Sequence, residues 1–209
     1  MMQRPEIKEL SNIEIFKPQS TRLDNGVDLK SIGIGDQPVS RLDIIFEGGR
    51  CDGRNQTVSE MLSAILREGT TSLNAQEIAE TLDYHGAWLG CDASSHNATL
   101  SLYSLNRNFE KVVPILADIV MNPSFPEQEL SNLKSLAANR LRINRQKVAF
   151  LAMETFAQRH FGNGSNLGKS VTEESIDSIT ASELSIPQAM VCPAKHDCHP
   201  VRESGRANV

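Results

Sequence analysis

The densest set of metal-ligating side chains in this sequence is Cys192, His196, Cys198 and His199, spaced C-x3-H-x-C-H. Thiolates and imidazoles of this kind hold zinc when four of them converge, but the spacing is tighter than in paired zinc knuckles. Nothing around them promises a folded mini-domain, so a loose tail is the favoured reading and a tail zinc site its rival. His85 and His96, with Asp83 or Asp92, are a second group able to bind a cation. They share no helix face and read as exposed turn residues. His96 follows Ser94 and Ser95, which places a base beside hydroxyls, yet the strand-to-helix elbow and oxyanion glycine of a serine hydrolase are missing. Gly162-Asn163-Gly164 lacks the lysine and following helix of a phosphate loop. Arg140, Arg142, Arg145 and Lys147 form a basic stretch that Glu127, Glu129 and Glu154 balance, which is the pattern of a solvated helix face.

Composition narrows the function further. The 209 residues carry 21 Lys+Arg against 26 Asp+Glu, a formal charge of -5, which argues against a chain that neutralises phosphates over a broad surface. No nucleic-acid partner is expected. MMQRPEIKEL has no apolar leader core, and the apolar run from Val112 to Met121 is interrupted by Pro114 and Asp118, so no membrane span is expected. A cytoplasmic location is the default, and a periplasmic or organellar one follows if a leader has been removed. Cysteines at 51, 91, 192 and 198 make no disulfide framework, and Cys51 and Cys91 read as small packing residues.

The elements that would position such groups follow from periodicity. Asn25-Gly26 marks a turn between two short extended pieces. Leu42, Ile44 and Phe46 alternate along one face of a strand, with Ile45 opposite. Val58, Met61, Leu62, Ile65 and Leu66 give one face of a helix that ends near Gly69, with Thr57 as its expected cap. Ser72 and Asn74 precede a short helix with Ile78, Leu82 and Ala79 inward, closed by His85-Gly86. Trp88 to Leu105 reads as two strands around the bend Asp92 to Asn97. Phe109 to Val120 returns to helical spacing and stops at Asn122-Pro123. Pro126 opens a long polar helix to about Ile143, and another runs from Lys147 to His160. Thr172 and Thr180 are expected caps of two short turns. The expected organisation is an arm over 1–14, an α+β domain over 15–184 and an irregular tail over 185–209.

The order of these elements, with Phe46 to Arg50 (FEGGR), Val58 to Thr70 (VSEMLSAILREGT), Trp88 to Thr99, Leu116 to Phe125 (LADIVMNPSF) and Leu167 to Thr180 (LGKSVTEESIDSIT), resembles the N-terminal domain of the insulinase, pitrilysin and mitochondrial-processing-peptidase family of zinc peptidases. The resemblance implies an α+β fold, a mostly antiparallel sheet packed against helices in the LuxS/mitochondrial-processing-peptidase-like metallohydrolase fold, incomplete at its C-terminal end. In that family the first helix carries H-x-x-E-H, two zinc ligands and a water-activating glutamate, and a downstream helix supplies a third ligand. Here the first histidine position falls on Glu60, the catalytic glutamate on Ser63, the second histidine on Ala64, and the third ligand near Asn139 or Arg140.

No zinc, and no other cofactor, is therefore expected. The resemblance also implies a role, because family members pair subunits or tandem halves, and one half often lacks zinc while helping to hold the substrate. The substrate edge falls on Leu89, Gly90, Cys91, Asp92 and Ala93, where unpaired backbone groups can read an extended peptide. The resemblance points to a non-catalytic homologue or fragment that serves as a structural or substrate-holding partner of an active homologous peptidase subunit. The alternatives are a composite zinc-dependent peptidase whose catalytic site lies on a partner chain, and a metal-free module that self-associates. The second domain of the family, with the arginine and tyrosine it contributes, has no counterpart after Leu184.

Overall fold

In the computed structural model of the chain, residues 15–47, 49–51, 56–162 and 164–184 are described. The arm 1–14 and the tail 185–209, with Cys192, His196, Cys198 and His199, lie outside the described residues. The chain divides into two compact units, residues 1–37 and 38–209, whereas the span 15–184 expected from the sequence has no division there.

In the first unit, β1 (Gln19–Arg22) pairs antiparallel with β2 (Asp28–Ser31). The turn between them needs Gly26, whose φ of 86 lies where a side chain is strained. Asn25 Oδ1 accepts the Val27 N–H at 3.1 Å, so both residues of the turn signal are used.

The second unit is built on a three-stranded antiparallel sheet in the order β3 (Val39–Glu47), β5 (Asn97–Leu105), β4 (Trp88–Ala93). Its register aligns Leu42, Leu102 and Leu89 across the three strands, and then Ile44, Leu100 and Cys91. Because successive residues point to opposite faces, this one apolar ladder faces the helices. The other face carries Arg41, Tyr103 and Trp88, followed by Asp43, Ser101 and Gly90.

Helix α1 (Gln56–Ile65) lies on the apolar face and buries Met61, Leu62 and Ile65, with Leu66 beyond its end. Thr57 is not its cap: it sits within the first turn, already helical, and is buried there. Helix α2 (Ala75–Tyr84) is capped as its sequence suggests, since Asn74 accepts from the Glu77 N–H while Glu77 accepts from the Asn74 N–H. Ile78 and Leu82 of α2 are buried, but Ala79 is exposed. The step of about 100° from Ile78 carries Ala79 off the inward stripe.

Helix α3 (Asn106–Met121) runs through Pro114. An interior proline costs about 3 kcal/mol. Val112, Ile115, Leu116 and Ile119 are buried on the same helix, each worth roughly 1.5–3 kcal/mol, so burial outweighs the lost hydrogen bond. Helix α4 (Glu127–Arg145) has Pro126 at its N-cap position, one residue outside the first turn expected for it, and α5 (Val148–Phe161) has Lys147 there; neither side chain makes a capping hydrogen bond. Thr172 caps α6 (Glu173–Asp177) through a reciprocal pair with Ser175, and a 3-10 turn at Ala181–Leu184 buries Leu184. Among the described residues no helix is long and apolar enough to cross a membrane.

The ends of α1 and α3 are tied together. Thr71 N–H donates to Asn122 O at 2.9 Å and Ser124 N–H to Gly69 O at 3.1 Å. Asp118 accepts from Ser72 Oγ at 2.6 Å and from Asn122 Nδ2 at 2.8 Å. Hydrogen bonds from Ser72, Thr70 and Asn122 hold its carboxyl below the usual range. Gly69, with φ 150, is essential to this junction, since a Cβ there would stand 2.8 Å from Ser124 Oγ. Gly69→Ala is expected to lower stability by about 1–3 kcal/mol in urea unfolding. Gly164→Ala, which meets no atom within 4 Å, should change it by less than about 1 kcal/mol.

Candidate functional site

The positions that the resemblance assigns to zinc lie on α1 and α4, which pack against each other. Glu60 is exposed and accepts from Arg50 Nη1 at 3.1 Å. Ser63 is buried at 6% exposure among the apolar residues of α1, and Ala64 is half-buried with no donor atom. On α4, Asn139 and Arg140 are exposed. Zinc at a catalytic site takes about three protein donors and leaves one position for water. These residues supply one carboxylate, already held by a guanidinium, together with an alanine and, at the third position, an amide or a cation. They do not fit zinc. Among the described residues no group of three or more His, Cys, Asp or Glu side chains is placed to hold a metal.

The basic stretch on α4 is used within the fold. Arg142 pairs with both carboxylate oxygens of Glu173, Nε to Oε1 at 2.9 Å, and holds that carboxyl below the usual range. Arg145 lies 3.5 Å from Glu154 Oε1 and donates to Val171 O at 2.9 Å. Ser94 Oγ closes its own turn, donating to Asn97 O at 2.9 Å and accepting from Asn97 N–H at 3.1 Å, while His96 is exposed in the same turn. His85 caps α2, and its carbonyl accepts from Asn108 Nδ2 at 2.9 Å. Asn163 lies outside the described residues.

Strand β4 stands at the edge of the sheet, and among the described residues it pairs with β5 alone. Leu89 and Gly90 are buried, Cys91 and Ala93 half-buried, and Asp92 exposed. Trp88 lies over Gly90: a Cβ at position 90 would meet its indole at 2.5 Å. The indole sits 5.3 Å from the Tyr103 ring, and Arg41 lies 4.9 Å above Tyr103. Arg41 Nε donates to Asp43 at 2.8 Å, and Ser101 Oγ donates to the same oxygen at 2.7 Å. Burial would raise the Asp43 pKa, but these hydrogen bonds hold its carboxyl below the usual range. The one sequence signal of this polar and aromatic network is the alternation of Arg41 and Asp43 with Leu42 and Ile44.

Where β4 begins, a cleft of about 410 Å³ opens between the strand and α2, lined by Arg67, Ile78, Ala79, Leu82, Trp88 and Leu89 among others. Its walls come from three separate segments, so no local pattern announces it.

An antiparallel sheet backed by helices, with α1 packed against α4 and β4 open at the sheet edge, makes this an α+β domain whose fold is shared with M16 peptidase domains. Residues 37–170 match the family described as Insulinase (Peptidase family M16), and the chain belongs to that family. It is 25% identical over 150 residues to the non-peptidase homologue YmxG of Helicobacter pylori, covering 70% of this chain and 35% of that protein. It is 24% identical over 129 residues to the mitochondrial-processing peptidase subunit alpha of Rattus norvegicus, covering 61% and 25%. The inactive domain of an M16 peptidase from Pseudomonas fluorescens superposes with a TM-score of 0.75 at 25% identity, over 81% of this chain and 42% of that one. A protease from Helicobacter pylori shares the fold, with a TM-score of 0.69 at 16% identity over 80% and 41%. The chain thus spans between a quarter and about two fifths of each of these relatives. A non-catalytic homologue fits the names of YmxG and of the inactive domain.

Burial pushes the Cys91 thiol up to about 11, which outweighs the opposing pull of Arg67. Its folded pKa is raised, so the native state keeps a proton that the unfolded chain releases. Stability should therefore fall as pH rises from about 9 towards 11. Urea unfolding across that interval should show a slope that Cys91→Ala removes. Alkylation of Cys91 should stay slow at neutral pH.

Proposed function

We propose that this chain is a non-catalytic member of the insulinase family that holds extended peptide along β4 and pairs with a homologous subunit bearing an intact H-x-x-E-H site. The observation that carries the reading is the donor set at Glu60, Ser63, Ala64 and Arg140, with the one carboxylate bound to Arg50. Peptide holding is supported by β4 itself, because an edge strand offers backbone groups that pair with an extended chain regardless of side-chain sequence.

Pairing is supported by α5, in which none of the residues is buried. Val148, Met153 and Phe156 are 81%, 68% and 58% exposed, and with Ala149 and Ala152 they fall on one arc of the helix. A contiguous apolar stripe of this kind is the mark of an interaction surface. The alpha subunit of mitochondrial-processing peptidase is, by its name, a member of an assembly.

Two measurements test the reading. The purified chain, equilibrated with zinc and desalted, should retain well under one equivalent by elemental analysis and should not cleave peptides. One equivalent of zinc, lost together with peptide hydrolysis in Glu60→Gln, would overturn the non-catalytic assignment. Mixed with a homologous H-x-x-E-H subunit, the chain should form a one-to-one complex by light scattering, and Met153→Glu with Phe156→Glu should abolish it. A complex unchanged by those exposed substitutions would remove α5 as the docking face, and failure to associate at all would sink the pairing role.

A further inference from the structure

We infer that the open edge of β3 is a self-association site, where two copies of this chain join antiparallel about a two-fold axis at Leu42. The inference stands apart from the peptide-holding and α5 readings. Among the described residues β3 pairs with β5 alone, in an unbroken register from Val39 to Glu47. It is nine residues long against six for β4, and neither a proline nor a bulge interrupts it. No charge stands on its helix-facing side, where Ser40, Leu42, Ile44 and Phe46 lie. Prolines, bulges and inward charges are the devices that keep an edge strand from pairing, and this strand has none of them.

The ladder shows which backbone groups are free. Asn106 N–H donates to Pro38 O at 2.9 Å, so these two residues are a directly bonded pair of the β3–β5 ladder. Bonded and unbonded pairs alternate along an antiparallel ladder. Ser40, Leu42, Ile44 and Phe46 therefore direct their N–H and C=O groups to β5, and Val39, Arg41, Asp43 and Ile45 direct theirs to the open edge. A strand added at that edge bonds through the second set.

The side chains then select the occupant and its register. With the axis at Leu42, Arg41 stands opposite the partner's Asp43, and Val39 opposite the partner's Ile45, each pairing occurring twice by symmetry. All of these residues belong to the edge-bonded set. Val39 and Ile45 are 49% and 64% exposed, and here each covers the other. Arg41 already holds its own Asp43 at 2.8 Å, so the dimer closes a ring of four charges of alternating sign. On the helix-facing side Leu42 meets the partner's Leu42, which extends the row of Leu89, Leu102 and Leu42 across the axis. Moving the axis to Arg41 or Asp43 sets like charges directly opposite, which destabilises a sheet. Moving it to Ser40 or Ile44 sets Arg41 against an apolar Val39 or Asp43 against an apolar Ile45. A strand complementary to itself in one register points to a second copy of the chain. The strand and α5 are separate elements, so the dimer still offers one α5 per chain and keeps the one-to-one ratio with a homologous subunit.

The test is light scattering on the full chain, with circular dichroism to show that each variant is folded. The unaltered chain should have twice the 23.0 kDa mass of one copy. Arg41→Asp and Asp43→Arg each place like charges across the axis, and each should weaken self-association at least about tenfold. Mixed in equal amounts, the two variants should form a dimer again, because every Asp then faces an Arg of the partner. Mixing does not repair a damaged fold, so this recovery separates the interface from a folding defect. Should either reversal unfold the chain, Val39→Lys with Ile45→Lys, at two exposed positions, should give a folded monomer.

A folded, unaltered chain that stays monomeric at about 100 μM would overturn the inference. So would a dimer that survives the charge reversals or the paired lysines, and so would two folded single variants that fail to associate on mixing.

Discussion

The burial of α1 constrains everything else in the second unit. The helix packs against β4, α4 and the Ala181–Leu184 turn, and each aliphatic side chain it hides from water contributes roughly 1.5–3 kcal/mol. Met61, Leu62, Ile65 and Leu66 must therefore stay apolar for the sheet to keep its helical cover. Glu60 lies outside that requirement. Its surface is shared with solvent and Arg50, and an exposed pair of this kind is worth under about 1 kcal/mol. Hence the fold can persist while the donor set of a metal site disappears. Ser63 shows the same point from inside, since a small residue fits a buried position that a glutamate could occupy only with a charged or hydrogen-bonded partner.

Much of this architecture was legible in the sequence because the periodicities are local. Leu42, Ile44 and Phe46 on one strand, and Ala98, Leu100 and Leu102 on another, give the inward face directly, and the register confirms their pairing. Val112, Leu116 and Ile119 give α3 in the same way despite Pro114. Caps were harder. Asn74 and Thr172 act as their types suggest, whereas Thr57 sits within its helix, because hydroxyl type alone does not say where helical backbone begins. Ala79 lies off the inward stripe although it is apolar, because alanine is tolerated on either side of a helix and carries little directional information.

The candidate site divides along the same line. The residue types at Glu60, Ser63, Ala64 and Arg140 can be read without coordinates, and so can the run from Leu89 to Ala93. The neighbours cannot. Asp43 and Ser101 meet across 58 positions, and Arg142 reaches Glu173 across 31. A cleft walled by the end of α1, one side of α2 and the first residues of β4 exists only after those segments have packed.

The pairing of Trp88 with Gly90 has a consequence for how this strand can vary over evolutionary time. Since a side chain at 90 would occupy the space of the indole, the two positions are not independent. A line of descent that replaces the glycine must shrink the tryptophan or swing it away from the strand. Because Trp88 is exposed, its ring can swing into solvent to admit that side chain, so a change at one position moves the other. The texture of this sheet margin is thus inherited as a unit.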